Sequence, residues 1–128
     1  MNNLSDSLAN IVFEYQKDLN TLIPVITHLA FLMGESIRDI GFEDTPEKKD
    51  RLHKNYARII NHVNRHNDLL LFKFFPEWRP AFVEFCNMER DHLKFLHFME
   101  CVAKSLKMRA LHQIKFMIGW IKDRRTHY

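Results

Sequence analysis

Three glycines and four prolines among 128 residues are too few for a sheet protein, whose many tight turns draw on both. The scarcity points to an all-α chain of long helices with few connections. Cysteine is scarce too. Cys86 and Cys101 lie fifteen residues apart on what reads as one helix, about 22 Å at the usual rise. That span is too long for a disulfide between them. Free thiols suit a reducing compartment, so the expected location is the cytoplasm. No apolar run approaches the roughly 20 residues of a membrane span. Met1 to Asp6 show neither the basic nor the apolar region of a secretory leader. Gly34, Gly41 and Gly119 stand alone, so there is no glycine-rich phosphate loop. No serine sits in a nucleophile-elbow context, and neither cysteine has a setting that would lower a thiol pKa. Nothing here favours an enzyme.

What is present is a normal globular balance, 46% apolar and 27% charged, enough to build one core. We expect a single helical domain over residues 1–128. Charge is unevenly spread. Residues 1–50 hold nine acidic and four basic side chains, whereas residues 104–128 hold seven basic and one acidic. The chain is therefore acidic in front and basic at its end. That polarity suits the tail lying against the front, or against an anionic partner.

Apolar spacing divides the chain into helices. Leu8, Ile11, Tyr15, Leu19, Leu22, Ile26 and Leu29 recur at three- and four-residue intervals after Ser5 or Asp6, either of which can cap. Pro24 should kink this first helix or split it, with Thr21 capping a second piece. Gly41 is a suitable stop. Thr45-Pro46-Glu47 is the clearest start, combining a capping hydroxyl, a proline at the first helical position and an acid in the first turn. That helix carries Leu52, Tyr56, Ile59, Ile60, Val63, His66 and Leu70 on one face. The apolar stretch Leu69–Trp78 then forms a buried or partner-binding corner around Pro76. Pro80 opens a helix bearing Phe82, Phe85, Met88, Phe95, Leu96, Met99 and Val102. If unbroken to Arg124, this helix would be about 68 Å long, so a break is expected near 104–107. The resulting architecture is a four-helix, mostly antiparallel bundle with a kinked or split first helix.

Eight histidines raise the question of metal. Glu89-Arg90-Asp91-His92 is a Glu-x-x-His unit, which sets a carboxylate and an imidazole on one side of a helix, and His66 faces inward on the helix before. His62 and His66 are also one turn apart. The unit resembles that of ferritin-like and hemerythrin-like bundles, which implies iron or zinc held by His66, Glu89 and His92. No second Glu-x-x-His accompanies it, and the histidines do not follow the hemerythrin order. A buried polar contact of Glu89 with His66 or His92 is therefore preferred, with no cofactor expected.

The last helix has two apolar sides. Ala103, Ala110, Ile114, Met117, Ile118 and Ile121 form one, and Met108, His112, Phe116 and Trp120 lie opposite, among Lys104, Lys107, Arg109, Lys115, Lys122, Arg124 and Arg125. A bundle core needs only one side, so the second suits a protein partner or a second copy. Nucleic acid and an anionic membrane surface rank below. The expectation is a small non-enzymatic interaction protein, an adaptor, regulator or inhibitor. It would be a homodimer working through Phe116 and Trp120, with Phe75 and Trp78 at the corner as a second surface.

Overall fold

A computed structural model describes residues 2–40, 45–66, 71–88 and 91–126, and every regular element among them is an α-helix. Six are present: α1 (Asn2–Asp39), α2 (Pro46–His66), α3 (Phe72–Phe74), α4 (Trp78–Asn87), α5 (His92–Ser105) and α6 (Ala110–Thr126). The chain is thus all-helical, but with six helices where four were expected.

α1 runs unbroken through Pro24. It begins ahead of Ser5 and Asp6, so neither caps it. Thr21 does not cap a second piece either, because its hydroxyl donates back to Lys17 O at 3.0 Å. α2 starts where the sequence indicated, with Thr45 Oγ1 accepting from Lys48 N at 3.2 Å. Gly41 and Leu70 lie outside the described residues.

α1 and α2 pack side by side and run antiparallel. Asp39 meets Arg51 at 3.0 Å, and Val25 O accepts from His62 Nε2 at 2.8 Å. This register places the end of α2 near residues 22–24 of α1. Leu22, Leu29, Leu32, Met33 and Ile37 are accordingly buried. The preceding half of α1, about 27 Å of helix at the usual rise, runs past α2. Its described apolar neighbour there is Phe74, whose ring lies 5.0 Å from that of Tyr15.

The expected single helix from Pro80 is two helices. Met88 leaves the helical path, and Asp91 opens α5 in an extended conformation, its carboxylate accepting from Leu93 N at 2.9 Å. Cys86 and Cys101 therefore lie on different helices, and the length argument against their pairing lapses; both are nevertheless outside any disulfide and half-buried. Pro80 sits in the first turn of α4 rather than at its first position.

The break after Ser105 appears as expected. Lys107 takes a positive φ of 53°, Met108 N bonds Ala103 O at 2.9 Å and Lys107 N bonds Lys104 O at 3.3 Å. These two bonds are the Schellman ending, here with lysine in the left-handed position that glycine usually fills. The chain reverses there, and α6 packs back on α5.

The core sits between α1, α2, α4, α5 and α6. Tyr56 is surrounded by the rings of Phe85 and Phe95, at 5.3 and 4.4 Å. Trp78, Phe82 and Phe98 extend the aromatic layer, with Ile114 and Ile118 contributed by α6.

Candidate functional site: the outer face of α6

Ile114, Met117 and Ile118 turn into the core, which fixes the opposite side of α6 outward. Phe116 stands there 70% exposed. His112 and Lys115 are exposed beside it, and Met108 is half-buried at the foot of the helix. Trp120 is half-buried and covered by Arg124, whose guanidinium carbon lies 4.8 Å from the ring centre. That stacking gives the indole a cationic lid. Met108, Arg109, Leu111, His112 and Lys115 enclose a shallow pocket at the start of α6. The side chain of Arg125 lies outside the described residues. The structure thus sets His112, Phe116 and Trp120 along the outer side of α6, with Lys115 and Arg124 on its two opposite edges and Met108 just ahead of its first turn.

The corner proposed as a second surface is placed differently. Trp78 is fully buried. Its indole N–H donates to Ser105 Oγ at 2.9 Å, and Ser105 in turn donates to Glu77 at 2.8 Å. Phe75 is half-buried and stacks on Trp78 with centres 4.1 Å apart. Together they pin the α3–α4 corner to the end of α5, so Trp78 belongs to the core and cannot anchor a partner.

Of the metal-ligand candidates, the side chain of His66 and the whole of Glu89 lie outside the described residues. His92 is half-buried, and its Nδ1 shares a 2.9 Å hydrogen bond with the Tyr56 hydroxyl. Among the described residues no group of three His, Cys, Asp or Glu side chains is gathered as a metal site. His62 packs edge-on against His28 at 4.7 Å.

Among the described residues three groups have shifted pKa values, and the hydrogen bond to Asp39 raises that of Arg51. Burial, with a smaller contribution from Asp91, raises the Tyr56 phenol well above its ordinary value. Burial first, and Glu100 second, raises the Cys101 thiol. A raised thiol pKa leaves less thiolate, which is the opposite of what a nucleophile needs. For Tyr56 the fold favours the neutral phenol. Its stabilising contribution is complete below the unfolded pKa of about 10 and is lost as pH climbs beyond it. Alkaline titration should therefore show Tyr56 ionising only as the protein unfolds. The denaturation midpoint should fall with pH above that point, and Tyr56→Phe should flatten the slope. An ordinary phenol titration in the folded state would contradict this.

One surface escaped the sequence reading. The first half of α1 exposes Leu8, Ile11, Val12, Phe13 and Tyr15, each more than half accessible. Its periodicity was legible, but the overhang depends on α1 continuing through Pro24.

Comparison with protein-family models, curated proteins and solved structures finds no match to this chain. Among the described residues, no helix is long and apolar enough to cross a membrane.

Proposed function

We propose that this chain is a small non-enzymatic interaction protein, an adaptor, regulator or inhibitor, which binds a protein partner through the outer face of α6. The observation that carries this is Phe116, a large ring 70% exposed on a helix whose other side is already buried. Trp120 and Arg124 continue the same side. Large aromatic rings bordered by cations are the residues on which interface energy concentrates. Lys115, Lys122 and Arg124 would steer an acidic partner, raising the rate of encounter more than the final affinity. The two half-buried cysteines, neither in a disulfide, support a reducing location, so we place the protein in the cytoplasm.

The test is Phe116→Ser combined with Trp120→Ser. Such positions typically contribute about 2 kcal/mol each to binding. Capture of partner proteins from a native extract, and the oligomer seen by sizing, should both weaken more than tenfold. The circular dichroism spectrum should stay unchanged. Unchanged capture together with an unchanged oligomer would overturn the proposal, and so would a variant that cannot fold.

A further inference from the structure

The first half of α1 presents an uncovered apolar strip, and the outer face of α6 presents the exposed ring of Phe116 beside the half-buried Trp120. At 3.6 residues per turn, Leu8, Ile11, Val12, Tyr15 and Leu19 fall within an arc of about 100°. Leu22, Leu29, Met33 and Ile37 continue along that same arc, and these are the side chains buried in the second half of α1. The stripe is therefore a packing surface that outlasts its partner helix. Leu8, Ile11, Val12 and Tyr15 are 55, 64, 65 and 55% exposed. A lone helix of this length is marginal in water unless its apolar side is covered.

The two helical segments match in length and oppose in charge. Asn2 to Leu19 is 18 residues and α6 is 17, about 27 and 26 Å. The first half of α1 carries Asp6, Glu14 and Asp18 against one cation, Lys17. Glu14 and Asp18 lie along one edge of its apolar arc. The α6 outer face is edged by Lys115 and Lys122 on one side and Arg124 on the other, with Arg109 at its foot, and its one acid, Asp123, lies between His112 and Phe116. The two do not cover one another within the protomer, since Leu8, Ile11, Val12 and Tyr15 on α1 and Phe116 on α6 are all exposed.

We infer that the occupant of the α6 outer face is the first half of α1 from a second copy of this chain, exchanged reciprocally so that a two-fold pair covers all four strips. This rests on the proposed role of α6 as a docking face. An antiparallel two-fold pairing of α1 with α1 would set the Glu14 and Asp18 edges on the same side of the contact, whereas α1 on α6 sets an acidic edge against a basic one. Reciprocal exchange also closes the assembly at two copies instead of propagating a fibre.

Charge reversal of the full-length protein tests this, read by analytical ultracentrifugation. The unaltered chain should be a dimer that weakens as salt rises. Asp6→Lys, Glu14→Lys and Asp18→Lys together should weaken self-association at least tenfold. So should Lys115→Glu, Lys122→Glu and Arg124→Glu together. All six positions are exposed or half-exposed, and circular dichroism should confirm that both variants fold. Mixing the two variants should restore a dimer, because each strip then meets an opposite charge. A monomeric unaltered chain at high concentration overturns the inference. So does an α6 variant that remains dimeric, which would assign the contact to α1 on α1. If that variant stays dimeric yet no longer captures other proteins, only this inference fails. If it stays dimeric and also keeps capture, the proposed role of α6 fails with it.

Discussion

Replacing Trp78 with alanine should lower the unfolding free energy by about 4 kcal/mol, the cost of removing a large aromatic side chain from a packed core. Trp78 has no exposed surface. It stacks on Phe75 at 4.1 Å and joins α4 to the end of α5 through Ser105. Alanine would open a cavity and also strip Ser105 of a donor while Glu77 still holds its hydroxyl. Trp78→Phe separates the two effects. It retains most of the packing and loses the hydrogen bond, so about 1–2 kcal/mol is expected. Chemical denaturation followed by circular dichroism measures both. A loss under about 1 kcal/mol for the alanine variant would return Trp78 to the surface role that its sequence context suggested.

That context explains why Trp78 was misplaced. A corner that is buried and a corner that binds a partner have the same composition, and only the contacts of Trp78 with Ser105 and Phe75 decide between them. Other features were legible because their physics is local. Thr45 and Pro46 mark the start of α2 by residue type alone, and the cap is there. The all-helical class follows from scarce turn residues. The break after Ser105 was legible only through length, since no glycine marks it and Lys107 supplies the left-handed residue. The break at Met88 was hidden because apolar spacing continues from Phe85 through Met88 to Phe95. Asp91, its one local signal, reads equally well as part of a Glu-x-x-His unit. Pro24 misled in the other direction. Proline weakens a helix by removing one donor, yet α1 continues through it, and only a continuous α1 overhangs α2. On α6 the two-sided pattern placed Phe116 outward correctly, because helical periodicity alone fixes which residues oppose Ile114 and Ile118.

The two halves of the α1 stripe offer the sharpest contrast the chain contains. Leu29 and Ile11 share one angular position on the helix, but Leu29 is fully buried against α2 whereas Ile11 is 64% exposed. Leu29→Ala should cost about 3 kcal/mol at any protein concentration, because the cavity it leaves lies within the protomer. Ile11→Ala should cost under about 0.5 kcal/mol in dilute solution, where its side chain already meets water. As concentration rises into the range where copies pair, the unaltered chain gains stability by mass action. The Ile11 variant should gain less, so the gap between them should widen with concentration. The gap for Leu29→Ala should stay constant. Melting curves of the three proteins across a hundredfold range of concentration would show it. A concentration-independent Ile11 difference would mean that the exposed half of α1 stays uncovered, and a large Ile11 cost in dilute solution would mean that it is already covered within one chain.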